Sequence, residues 1–240
     1  ITRGRERQVD SQRPQQVVPL VERRGVELSR ADASDARVVA CAASLFLESG
    51  IADVKMTDIA EEAGVGVATL YRHFSTKTAI AVAAATLMWE RFNESIIRLI
   101  ESDAFQGMDG ASQLEALFGE YCATYVYHAR FVAFLDEFDH LVQREHPDPA
   151  TLEAYGRKVD SFYPIFHDAY LRGRLDGSVS HEVDFPVFYR AVAHALMAVA
   201  SKLMRGQVIP SDDFTERSGV AELDCLVDMA IRSLMTHASP

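Results

Sequence analysis

Apolar residues recur at helical spacing along most of this 240-residue chain. Val38, Ala42, Leu45 and Phe46 fall on one face of a helix. Asp32 or Ser34 is placed to cap that helix and Gly50 to end it. Thr57 is placed to cap a short second helix with Ile59, Ala60 and Ala63 facing inward, and Gly64 to stop it. A third short helix carries Val67, Leu70 and Phe74. Ser75 then stands before a long helix through Ile80, Ala84, Leu87, Phe92, Ile96 and Leu99.

The remainder repeats the pattern. Leu114, Leu117, Tyr121 and Tyr125 form one stripe, and Phe131, Phe134, Leu135 and Phe138 another. Tyr155, Val159, Phe162, Phe166 and Tyr170 make a third, interrupted by Pro164, which predicts a kink or break near Ser161. Phe188 to Leu203 and Val220 to Leu234 give the last two faces. The pattern predicts an all-α chain of about nine helices with no strand. It divides into a mobile basic tail over 1–34, a helix-turn-helix unit over 35–80, and a helical bundle over 81–240.

Composition narrows this little: 48% hydrophobic and 25% charged residues describe a globular chain. The longest nearly unbroken apolar run, Ala79–Trp89, has eleven residues. A membrane-spanning helix needs about 20, so no membrane segment is expected. The Arg-rich opening lacks an apolar stretch, so no secretory leader is expected either. Cys41, Cys122 and Cys225 lie far apart with no C-x-x-C pair. Reduced, buried thiols in a cytoplasmic protein are expected, with an intersubunit bridge through Cys225 as the alternative.

Charge changes the picture more. The net charge of −11 argues against indiscriminate nucleic-acid binding. Residues 1–30 hold seven Arg against four acids, whereas 31–90 net −4 and 91–240 net −10. Any contact with nucleic acid therefore belongs to the N-terminal part, with Glu48, Asp53, Glu61 and Glu62 turned from the duplex.

Residues 56–75 read MTDIAEEAGVGVATLYRHFS. Ala60 is small where two helices approach, Gly64 stands where a turn needs positive φ, and Ile59, Ala63, Val65 and Leu70 supply a small core. The second helix is then held crosswise, ready to enter a major groove.

RVVACAASLFLESG followed by MTDIAEEAGVGVATLYRHFSTKTAI resembles the DNA-binding domain of the TetR family of bacterial transcriptional regulators over about residues 36–80. The resemblance implies a homodimeric regulator, most often a repressor, that binds double-stranded DNA and is released by a small-molecule effector. It implies phosphate contacts from Thr57 at a helix N-terminus and from Tyr71, His73 and Lys77, base-edge or thymine-methyl contacts from Val67, Ala68 and Thr69 at the start of the recognition helix, and a guanine or phosphate contact from Arg72. Gly66, Ala68 and Thr78 depart from the family pattern, which touches local stability and operator preference.

Aromatic stripes in a helical bundle can enclose a ligand. Tyr125, Phe134, Phe138, Phe162 and Phe166, with His194 as a polar contact, are the candidate effector residues for an apolar or aromatic compound. Ala191, Ala195 and Ala198, with Leu223, Val227 and Leu234, are the candidate dimer surface. Two other classes remain open. One is an adaptor of the same fold that no longer binds DNA. The other is a helical metalloenzyme built on Glu137–His140, an E-x-x-H without the second copy a di-iron site requires. No catalytic residue, metal ligand or cofactor is expected.

Overall fold

The computed structural model describes residues 30–205 and 216–235, and these form eleven α-helices and no strand. They are α1 Arg30–Ser49, α2 Met56–Glu62, α3 Val67–His73, α4 Lys77–Ile100, α5 Asp103–Gln106, α6 Gly110–Tyr127, α7 Ala129–Glu145, α8 Pro149–Asp160, α9 Tyr163–Asp176, α10 Phe185–Met204 and α11 Glu216–Leu234.

The two helices beyond the predicted nine have local causes. Ser102 caps the one-turn α5 by accepting from the Phe105 amide. The stripe around Pro164 is two helices: α8 ends at Asp160 and α9 restarts at Tyr163, where a proline is tolerated in the first turn.

Three predicted caps move. α1 starts at Arg30, so Asp32 and Ser34 lie inside it, and the last residues of the predicted 1–34 tail are helical. The rest of that tail lies outside the described residues. Lys55, not Thr57, is the N-cap of α2, and its amide donates to Asp58 at 2.9 Å. Thr76, not Ser75, caps α4, accepting from the Ala79 amide at 3.1 Å.

α1, α2 and α3 pack on the start of α4 around Val38, Ala42, Phe46, Ile59, Ala60, Leu70 and Ile80, all buried. Burying a side chain such as Phe46, 1% exposed, contributes roughly 1.5–3 kcal/mol. The long α4 carries this core on into the bundle, where α4, α6, α7, α8, α9 and α10 surround Trp89, Phe92, Phe118, Phe131, Phe162 and Phe166. The core is continuous from α1 to α11.

α10 reaches a mean hydropathy of 1.2 over an 18-residue window, enough by length and composition to cross a membrane, although Arg190 and His194 interrupt its apolar run. It packs against α6, α7, α9 and α11 and leaves Val187 and Ala191 exposed. Leu223, Val227 and Leu234 of the predicted dimer surface face inward, at most 5% exposed. Cys122 is buried and Cys41 half-buried, but Cys225 is exposed, contrary to the expectation of buried thiols.

Candidate nucleic-acid interface and effector cavity

The turn between α2 and α3 is built by backbone. Gly64 adopts φ +63°, its amide donates to the Glu61 carbonyl at 3.0 Å, and the Val65 amide donates to Ala60 at 2.9 Å. That left-handed residue redirects the chain, and Gly66 at φ −69°, ψ 140° is the N-cap of α3. It has no side chain to cap with, at a cost of a few tenths of a kcal/mol against Ser. Leu70, 1% exposed, anchors α3 to the core. The other face carries Val67, Ala68, Tyr71 and Arg72, all exposed, with Thr69 half-buried. This is an uncovered helix face with a Tyr and an Arg on it.

The surrounding predicted residues are more engaged. The exposed Thr57 hydroxyl lies 3.3 Å from an Asp58 carboxylate oxygen. His73 Nδ1 lies 3.0 Å from the Asp35 carboxylate, joining the end of α3 to α1. Lys77 Nζ donates to the carbonyls of Ile51, Ala52 and Val54 at 2.7, 3.1 and 3.0 Å. An ammonium has three donors, so in this arrangement Lys77 braces the α1–α2 loop.

In the bundle, α4, α6, α7, α8, α10 and the start of α9 border a cavity of about 320 Å³. Trp89, Tyr121, Tyr125, Tyr155, Tyr163 and Tyr189 form its aromatic walls. Asp139, Arg190 and His194 stand at its edge, where it adjoins a second depression bordered by Asp136, Lys202 and Arg205. Arg205 Nη2 donates to both carboxylate oxygens of Asp136, at 3.0 and 3.1 Å.

The walls are polar at their tips. The Tyr121 and Tyr189 hydroxyls are hydrogen-bonded, and burial raises the pKa of both phenols as well as that of Tyr125. Burial pushes the Tyr155 phenol up to about 12, with the Trp89 indole N–H pulling the other way. That N–H is buried and has no partner at full hydrogen-bond geometry. At the edge, burial and the nearby Asp136 raise the Asp139 carboxyl. The cavity therefore offers aromatic faces and neutral phenols within, and charge only at its mouth.

Among the predicted effector residues, Tyr125 and His194 border this cavity. Phe134, Phe138, Phe162 and Phe166 do not; each is 0–1% exposed and belongs to the core beneath it. Trp89, Tyr155, Tyr189 and Arg190 also border the cavity, and the aromatic stripes alone do not mark them as effector residues. The E-x-x-H pair is drawn apart: Glu137 Oε2 accepts from the Ile51 amide at 2.6 Å, and His140 Nδ1 lies 2.6 Å from the Asp136 carbonyl. Among the described residues no group of three or more His, Cys, Asp or Glu is placed to hold a metal ion.

The family model for bacterial regulatory proteins of the tetR family matches residues 38–84, which span α1 through the first third of α4. The helix-turn-helix module of this chain is that of the TetR family. The chain is 28% identical over 159 residues to the HTH-type transcriptional repressor KstR2 of Rhodococcus jostii (strain RHA1), covering 62% of this chain and 69% of that protein. In fold it is similar to a TetR transcription regulator from Haloarcula marismortui ATCC 43049, with a TM-score of 0.62 at 16% identity over 85% of this chain and all of that one. It is also similar to FadR from Bacillus subtilis, solved in complex with stearoyl-CoA, with a TM-score of 0.53 at 14% identity over 81% of this chain and 96% of that one. In general terms, then, residues 38–84 are the DNA-binding part of a TetR-type regulator, on a chain with the fold of solved TetR-family structures.

Proposed function

We propose that this chain is a cytoplasmic, homodimeric repressor, released from its operator when a small apolar or aromatic effector enters the cavity walled by Trp89 and the tyrosines. The observation that carries the reading is α4 itself. One unbroken helix holds the helix-turn-helix unit at Lys77 and forms the cavity wall at Trp89.

Val67, Ala68, Thr69 and Arg72 are the proposed base-reading residues, and Thr57, Tyr71 and His73 the proposed phosphate contacts. Lys77 supports them from behind. Tyr125, Tyr155, Tyr189 and His194 are the proposed effector contacts. The division into 35–80 and 81–240 is kept, with α4 as the shared element.

The outer face of α10 supplies the dimer surface. Val187 is 52% exposed, and Ala191 and Ala198 beside it are small enough for close approach. On α11, Val220 and Met229 are also exposed. A two-fold pairing of these faces sets two recognition helices on half-sites about one helical turn apart, or a multiple of it. An effector shifts that spacing only through a difference in affinity between the two arrangements.

The test is binding of purified protein to the DNA flanking its own gene, followed by anisotropy at two salt concentrations with non-specific competitor. Selective, salt-sensitive binding that aromatic compounds reverse supports the reading. Absence of selectivity at low salt overturns it.

A further inference from the structure

We propose that Glu137 is the positioning residue through which the cavity sets the pose of the helix-turn-helix unit. The inference rests on the regulator reading above but invokes a different helix, α7.

The loop between α1 and α2 is gripped on both its polar sides. Glu137 Oε2, from α7, accepts from the Ile51 amide at 2.6 Å and faces the Ala52 amide at 3.4 Å. Lys77 Nζ, from α4, donates to the carbonyls of Ile51, Ala52 and Val54. A carboxylate on the donors and an ammonium on the acceptors hold this short segment by charge-assisted hydrogen bonds. Gly50, at φ +81°, lets the carboxylate come this close: a Cβ there would lie 2.8 Å from Glu137 Oε1. The Ile51 and Val54 side chains, each 3% exposed, fix the same loop to the core.

The other flank of α7 belongs to the cavity. Leu135 and Asp139, two residues to either side of Glu137, border it. Phe138 packs on the cavity-lining Tyr155 with ring centroids 5.0 Å apart, and Phe134 stacks on Phe46 of α1 at 6.2 Å. A ligand that displaces α7 therefore moves the Glu137 carboxylate against the loop that leads into α2. A shift of about an ångström would carry the 2.6 Å contact to Ile51 out to about 3.6 Å, beyond hydrogen-bond range, and so release the grip.

The test needs no identified effector. Ala193 lines the cavity from α10, and Ala193→Phe serves as a built-in occupant, with Met197→Phe as the second variant should the first not fold. Amide exchange at Ile51 and Ala52 is measured in the full chain, alongside affinity for DNA that the wild type selects from a random pool. Expected is at least about tenfold faster exchange in Ala193→Phe and a comparable loss of DNA affinity, one decade being about 1.4 kcal/mol. Glu137→Ala gives the same exchange by itself, Glu137→Gln an intermediate value, and Ala193→Phe adds nothing on the Glu137→Ala background. Unchanged exchange in both cavity variants overturns the proposal, as does simple additivity of the Glu137 and Ala193 effects. If the wild type selects no DNA, the regulator reading fails, and the exchange data alone still decide the coupling.

Discussion

The hydroxyl of Tyr121 on α6 lies 3.0 Å from that of Tyr189 on α10, closing one wall of the aromatic cavity. Tyr189→Phe removes this bond and strands the Tyr121 hydroxyl, on a side chain only 4% exposed. A loss of about 1–2 kcal/mol is expected in chemical denaturation, with a changed effector response in the operator-release assay.

Core and wall residues separate by their phenotypes. Phe134, 1% exposed, is stacked between Phe46 and Phe138. Phe134→Ala is expected to destabilise by roughly 3–5 kcal/mol, lowering Tm whatever the ligand. Tyr155→Phe keeps the ring in place and is expected to alter effector affinity at nearly unchanged Tm. Equal effects of the two substitutions on Tm would refute the assignment.

Lys77 offers a test by salt. A lysine that neutralises one phosphate contributes about one to the slope of log affinity against log salt. With its three donors on loop carbonyls, Lys77→Met is expected to weaken DNA binding while leaving that slope unchanged. A slope reduced by about one would assign Lys77 to the phosphate backbone.

High pH should unfold the bundle cooperatively. Burial raises the Tyr121, Tyr125 and Tyr189 phenols and holds Tyr155 and the Cys122 thiol near 12. In the unfolded chain these groups lose their protons first, at ordinary values near 10 and 9. Their contribution is thus complete below about pH 9 and is lost as pH rises towards the folded values. Phenolate absorbance from the buried tyrosines is expected to appear in step with loss of helical circular dichroism. Gradual titration of these tyrosines in a folded protein would contradict it.

The helix-turn-helix unit was legible because its determinants are local. Gly64 and Leu70 act on their own neighbours in sequence, as does the Pro164 that separates α8 from α9 in the bundle. The caps of α2 and α4 moved by a residue or two, since neighbouring residues such as Ser75 and Thr76 compete for one helix end, whereas α1 runs back past both of its predicted caps to Arg30. The cavity was less legible. A 3.6-residue period shows that Phe134, Phe162 and Tyr155 all turn from solvent, but not which of them meets a void between helices. One signal was available in retrospect: the cavity-bordering aromatics are Trp and Tyr, whose polar tips need partners, whereas the buried layer beneath is phenylalanine. Glu137 gave no local sign, since its partner amide lies 86 residues away.

Trp89 is the single tryptophan of the chain, and it stands in the cavity wall. Light absorbed by the surrounding tyrosines drains by energy transfer to that one indole. Its emission therefore reports on a single place in the molecule, and its colour and yield follow whatever replaces water there. The protein carries its own optical gauge of occupancy, and a compound that enters can be weighed against one that merely sticks without a label being attached.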